Sequence, residues 1–351
     1  MKAWTHSKPG TASSVLSFSS DILKPSPTAP GDILIKISHA ALNPGGSIIM
    51  TLVPMIFRSK PSIPDSDFSG TISQIAPSTP SSSLRDLEIG SKVFGSVPLG
   101  QQVKNGKGVM AEYVVVPAEA VRKVPEGLKM EEAAGLPVAG CSALVLLEKA
   151  GLKAGMKVLV NGASGGIGSL FVPMAKNSVG GSGRVVAVCS GANAEMVRGL
   201  GADEVVDYKE FDPVEKHLAK MCEAEGFDVV VDCVGVQSMF QSCARFLKEG
   251  GPYVNIGPSA PSYTFGDMLY VLGQMAKNFL LPPWLGGVGR PYIQITAIPN
   301  LQDFERLAVM VEEGKLKMSI DSTWELKDAL KAYEIMNSHR ARGKVIVAMS
   351  A

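Results

Sequence analysis

The chain has 351 residues, 46% hydrophobic and 19% charged, a balance that excludes a disordered or collagen-like polymer. Its 34 Lys and Arg against 33 Asp and Glu leave a net charge of +1, without the basic excess of a general nucleic-acid binder. At about 150 residues per domain, the length predicts two domains.

In chain order, the start MKAWTHSKPG leads into neither an apolar signal core nor an arginine-rich transit peptide. Residues 1–125 read as β-rich. The runs 33–37, 70–75, 92–97 and 111–116 carry β-branched residues between Gly, Pro and Ser. Segments 77–83 and 100–108 read as surface loops by composition. A compact barrel with long connections fits this half.

Near Pro125 the pattern changes. Segments 130–136 and 140–150 have helical spacing, and 157–161 (KVLVN) reads as a buried strand. A glycine turn and a helix from about 167 to 178 follow. Strand 184–189 comes next, then a helix at 195–200 that stops at Gly201. Further strands fall at 204–207, 228–233 and 253–257, with 294–298 as a candidate last one. Strands alternating with helices predict a doubly wound parallel sheet. The apolar region 265–287 is broken by Asp267, Lys277 and two prolines, so no integral membrane span is expected. The tail offers an amphipathic helix at 301–314, a strand-like piece at 323–326, a helix at 327–337 and a strand at 344–349.

The most informative segment runs from Val158 to Gly168 (VLVNGASGGIG). A strand enters a glycine-rich turn that opens a helix. Glycine lets backbone approach a pyrophosphate closely, and a helix N-terminus offers N–H groups to its phosphates. Strand, turn and helix in one unit are the context that lifts this motif above a packing turn. The following strand ends at Cys189-Ser190-Gly191 with no acid to hold a ribose 2′-hydroxyl; the next acid in sequence is Glu195. NADPH is therefore the expected cofactor, with Ser190 and Asn193 as hydrogen-bond partners of its 2′-phosphate. No cationic clamp stands in that loop.

These residues resemble the zinc-free, quinone-oxidoreductase (zeta-crystallin-like) side of the medium-chain dehydrogenase/reductase superfamily. The resemblance runs through Met1-Lys2-Ala3-Trp4, Ala41-Leu42-Asn43-Pro44, residues 63–70 (IPDSDFSG), Leu136-Pro137-Val138-Ala139-Gly140, the glycine loop, residues 200–208 (LGADEVVDY) and Ala341-Arg342-Gly343-Lys344-Val345. The subgroup most similar is that of the reticulon-interacting oxidoreductase. The resemblance implies an α/β chain with a GroES-like β-barrel domain (1–125 and 299–351) and a Rossmann NADPH-binding domain (126–298). It implies that Ser164, Gly165, Gly166 and Ile167 hold the pyrophosphate, and that Ser190 and Tyr208 face the 2′-phosphate. Val234, Gly235, Asn255, Ile256 and Gly257 follow strands that end beside the cofactor. Arg342, Gly343 and Lys344 form a C-terminal turn that reaches it. Asn43 faces the nicotinamide, and Ser142 sits where relatives often have threonine. The plainer alternatives are a sheet-edge cap for Tyr208, a solvated charge for Lys344, a small helix residue for Ser142 and a turn residue for Asn43. A homodimer is what the family implies.

Zinc-dependent relatives need Cys, His or acid ligands. Here Ala41-Leu42-Asn43 lacks the Cys, Asp65-Ser66-Asp67 lacks the His, and the first 140 residues contain no cysteine. No zinc is expected, and His6, His39, His217 and His339 are read as scattered surface or packing residues. Cys141, Cys189, Cys222, Cys233 and Cys243 form no CxxC pair, which points to free thiols in a reduced, cytoplasmic or organellar setting. Without a Lewis acid, the remaining chemistry is hydride delivery to a small apolar electrophile, an activated C=C or a quinone. Tyr113, Tyr263 and Tyr292 are candidate proton donors. Three positions depart from the family pattern: Gly45-Gly46 stand where relatives commonly carry an Asp and then a Tyr, Lys or Arg, and Asp65 replaces a frequent glycine. The Gly45-Gly46 departure keeps open a non-catalytic NADPH-binding or redox-sensing protein, and a non-redox cyclase reusing the cleft is a further alternative. The helix within 265–284 reads either as a Rossmann helix with a dimer-edge loop or as an apolar lid or docking surface.

Overall fold

The computed structural model describes residues 1–77, 79–260 and 265–349, with backbone only for Phe265. Tyr263 and part of the 77–83 loop lie outside the described residues. The chain divides into two compact units, Met1–Cys141 with Ile298–Ala351, and Ser142–Ala297.

In the first unit, the ten-residue strand Asp32–Ala41 is long enough to serve three partners. Its first half pairs antiparallel with Tyr113–Pro117, its whole length with Asp67–Ile75, and its end with Lys344–Ala348. Ile33, Ile35 and Ile37 are buried with Phe68, Val93 and Tyr333, so this strand anchors the core. The sheet continues through Lys92–Ser96 to Val121–Lys123 on one side and through Ile320–Glu325 on the other. The C-terminal strand thus completes the N-terminal sheet, as a GroES-like domain requires.

The second unit is a six-stranded sheet in the order Glu204–Asp207, Arg184–Cys189, Lys157–Asn161, Val229–Asp232, Tyr253–Asn255, Tyr292–Gln294, all parallel. Val158, Leu159 and Val160 are fully buried, as a strand covered on both faces must be. The chain starts in the middle, winds outward one way, then returns to wind the other. The order therefore reverses between Lys157–Asn161 and Val229–Asp232, which makes the carboxyl ends of these two strands a topological switch point.

Several expectations need correction. Segment 100–108 is not all loop: Leu99–Asn105 is a helix, stopped by Gly106 in the left-handed region at φ 61°. Pro44–Leu52, a segment unassigned from sequence, is a helix that starts at Pro44, whose fixed φ suits a first helical position. The helices at 130–136 and 140–150 are one, Met130–Ala150, with Pro137 inside it. The last strand of the parallel sheet is Tyr292–Gln294, not 294–298, since its partner Tyr253–Asn255 offers only three residues.

Met130–Ala150 is long and apolar enough to cross a membrane by composition, but 67% of its apolar window is buried inside the protein. Helix Phe265–Leu280 instead leaves Leu269, Tyr270, Leu272, Phe279 and Leu280 exposed.

Candidate cofactor site and buried charge cluster

The glycine loop sits at the switch point of the parallel sheet. Gly162 has φ 73°, and a Cβ there would strike the Val234 side chain. A Cβ at Gly168 would strike the Gly162 carbonyl, so this glycine lets the helix Gly168–Val179 start against the loop. Gly165 is different. A Cβ there would meet only the Gly162 carbonyl, at an ordinary 3.4 Å, so the protein's own packing does not require glycine. Open space over a glycine backbone at the start of a helix is what a pyrophosphate would need, so the loop is compatible with a dinucleotide. Ser164 and Asn193 are brought together: Asn193 Nδ2 donates to Ser164 Oγ at 3.0 Å, tying the loop to the segment after Arg184–Cys189.

Tyr208 is half-exposed, and its backbone N–H donates to the Cys189 carbonyl at 3.2 Å. The residue before it changes the reading of this end of the site. A Cβ at Gly191 would collide with the Asp207 carboxylate, so an acid does stand beside the Ser190–Asn193 turn. It comes from the neighbouring strand Glu204–Asp207, where reading along a single strand could not find it.

Asp232, at the end of its strand, is fully buried and accepts five hydrogen bonds. The donors are Asn161 Nδ2 (2.8 Å), the backbone N–H groups of Val234 (2.9 Å), Gly235 (3.0 Å) and Val236 (2.7 Å), and the Tyr253 hydroxyl (2.7 Å). One carboxylate therefore fixes the end of the glycine-loop strand, the turn carrying Val234 and Gly235, and the next strand. Asn255 shapes the adjacent turn: its Oδ1 accepts from Gly257 N (2.7 Å) and from the Tyr292 hydroxyl (3.0 Å). Gly257 (φ 96°) packs its carbonyl against Gly235. Ile256 lies between Asn255 and Gly257, half-buried. Asp232 was passed over in sequence as part of an apolar run, DVVVDC; a lone acid closing such a run was the available signal.

In the first unit the site residues form a buried charge cluster. Lys344 is not a solvated charge: it is 4% exposed, and its Nζ donates to the Leu42 carbonyl (2.9 Å) and to Asn43 Oδ1 (2.6 Å). Asn43 stands at the cap position of Pro44–Leu52 but makes no cap hydrogen bond. Its Nδ2 donates to Asp67 Oδ2 at 2.8 Å instead. Asp67 also accepts from Val138 N at 3.0 Å, beside Pro137 in the long helix. Asp65 is held by the Tyr333 hydroxyl, which donates to Oδ2, and by Asn43 N at 3.4 Å. Burial pushes the Asp65 carboxyl up to about 6, with hydrogen bonds from Tyr333 and Asn43 opposing it. Burial raises Asp67 and lowers Lys344 as well. Of the turn before the last strand, Gly343 (φ 99°) is required because a Cβ would strike the Ser319 carbonyl, and Arg342 N donates to Asp321 Oδ1 at 2.7 Å.

Ser142 is buried on Met130–Ala150. Tyr113 lies under the Lys24 ammonium, 4.0 Å from its ring centre. His6 is buried against Arg58, at 3.1 Å, and His217 stacks on Phe211. Among the described residues no three His, Cys, Asp or Glu side chains gather as a metal-binding group. Tyr333 was missed because an aromatic on an amphipathic helix reads as core.

Comparison with known proteins fits this architecture. Residues 29–126 match the family described as alcohol dehydrogenase GroES-like domain, and residues 200–347 match the one described as zinc-binding dehydrogenase. Trans-enoyl reductase poxH of Penicillium oxalicum is 33% identical over 99% of this chain and 97% of its own. The chloroplast envelope quinone oxidoreductase homolog of Arabidopsis thaliana is 32% identical over 90% of this chain and 89% of its own. The chain belongs to the medium-chain dehydrogenase/reductase superfamily. The solved quinone oxidoreductase from Coxiella burnetii superposes with a TM-score of 0.75 at 26% identity, covering 100% of this chain and 99% of its own. This member of the superfamily is accordingly an oxidoreductase with a nicotinamide-dinucleotide fold.

Proposed function

We propose that the chain is an NADPH-dependent, zinc-independent reductase that transfers hydride to the activated C=C of a small apolar enone or enoyl compound, or to a quinone. The observation that carries this reading is the glycine loop at the switch point, where Gly162 and Gly168 pack too closely for any side chain and Gly165 leaves open space over its backbone that would admit a pyrophosphate. Similarity to a fungal trans-enoyl reductase over 99% of the chain supports the C=C acceptor. Ser164 to Ile167 and Asn193 would hold the phosphates, with Asp232 and Asn255 shaping the turns beside them. Bound NADPH would supply the hydride. Asn43 and Lys344 are the polar groups suited to steady an oxyanion as charge develops on the acceptor, a role hydrogen bonds fill without a metal. Zinc independence is supported by the Asn43 amide and the Asp67 carboxylate being engaged with Lys344, Val138 and each other. The NADPH preference rests on Ser190, Asn193 and Tyr208, against which Asp207 acts. The free thiols of all five cysteines suit a reduced cytoplasmic setting.

The test is NADPH oxidation by the purified protein with a quinone, a small enone and an enoyl thioester, with NADH in parallel. Turnover of the enoyl or enone acceptor, faster with NADPH and unchanged by a zinc chelator, is the expected result. Tight NADPH binding without turnover of any acceptor would point to the binding or sensing role instead.

A further inference from the structure

Two of the three positions that depart from the family pattern, Gly46 and Asp65, lie against each other. A Cβ at Gly46 would overlap the Asp65 carboxylate, so glycine stands at 46 while Asp65 fills that space from its own segment. Asp65 is there despite two costs. Its φ of 63° lies in the left-handed region, one of three such non-glycine residues among those described. The residue is 1% exposed, a setting where an ionised group is disfavoured unless it is paired. Asn43 bears a third cost, since it gives up helix capping to bridge Asp67 and Lys344. Strain gathers where Asn43 joins three charged groups, bonding Lys344 through Oδ1, Asp67 through Nδ2 and Asp65 through its backbone N–H, and a strained buried network of this kind marks a functional arrangement rather than a stabilising one.

We infer that Asp65, held by Tyr333, is a positioning residue for the Lys344–Asn43 pair: its negative charge keeps the Lys344 ammonium protonated and seated between the Leu42 carbonyl and the Asn43 amide. The assignment rests on the reductase reading for its catalytic consequence, but not for its physical content. The charged and titratable groups facing Lys344 are Asp65 and Asp67; Tyr333 and the Asn43 N–H face Asp65, and Asn43 Nδ2, Val138 N and the Ser66 and Ser96 hydroxyls face Asp67. Burial alone lowers Lys344, and the two carboxylates oppose that fall. With both ionised the cluster is net negative, so removing one charge leaves the ammonium with a single counter-ion. A neutral Lys344 keeps two N–H donors, enough for the Leu42 carbonyl and Asn43 Oδ1, but no longer presents a charge for the two carboxylates to hold in place.

The test is Asp65→Asn in the full-length protein, since Asn tolerates the left-handed backbone and still accepts from Tyr333. Two readouts are followed: the Lys344 titration by NMR of 13Cε-labelled lysine, assigned by its loss in Lys344→Met, and the pH profile of kcat. Asp65→Asn is expected to move the Lys344 titration down by about one pH unit, and the alkaline limb of kcat with it. The exchange Asp65→Gly/Gly46→Asp, which delivers the carboxylate from the other segment, is expected to restore both. An unchanged Lys344 titration in Asp65→Asn overturns the assignment, as does a folded exchange protein that keeps the Asp65→Asn profile. If the wild-type protein turns over no acceptor, the reductase reading fails, while the Lys344 titration still decides the role of Asp65.

Discussion

The stability of Asp65→Asn should depend on pH in a way that measures the buried charge directly. In the folded protein the Asp65 carboxyl is raised from 3.8 to about 6, first by burial. A raised carboxyl binds its proton more tightly when folded, so its contribution is intact below 3.8 and is lost as pH rises through about 6. Above that range the ionised, fully buried group costs about 3 kcal/mol relative to an ordinary carboxylate. Asn removes the charge while keeping the acceptor for Tyr333 and the left-handed backbone. The variant should therefore gain stability over wild type on going from about pH 4 to pH 7.5, by up to ~3 kcal/mol. Urea unfolding followed by tryptophan fluorescence at several pH values gives the difference. A wild-type-to-variant gap that stays constant across this range would falsify the claim that Asp65 ionises in its buried setting. Greater stability together with an altered kcat profile would mark Asp65 as a group retained for function at the expense of stability.

Two further changes probe the cofactor site. Gly165→Ala should lower NADPH affinity by about tenfold or more while shifting the melting temperature little, because its Cβ has room in the protein but not beneath a pyrophosphate; titration of cofactor fluorescence reads the affinity, and unaltered binding would remove the loop from the phosphate site. Asp207→Asn should strengthen NADPH binding several-fold and leave NADH nearly unaffected, since it removes a like charge beside the Ser190–Asn193 turn; equal effects on both cofactors would place the 2′-phosphate elsewhere.

The sequence alone determined what depends on local pattern. The run KVLVN followed by NGASGGIG determines strand, turn and helix, because apolar runs, glycine and helix starts act over a few residues. Repetition of strand and helix determined the parallel sheet, and the closing strand Lys344–Ala348 was legible as a strand. Boundaries failed where a distant partner set them: Tyr292–Gln294 ends with its three-residue neighbour, and Leu99–Asn105 forms within a segment whose composition reads as loop. Only the tertiary structure brought Asp207 to Gly191, Asp232 to five donors, and Tyr333, Asp65 and Asn43 to Lys344, across 268 residues for Tyr333 and Asp65 and 301 for Lys344 and Asn43. The physical reason is the range of the forces involved. Backbone preference and periodicity are written into neighbouring residues, whereas the field and burial that set a charge's role come from whatever the fold places within a few ångströms of it.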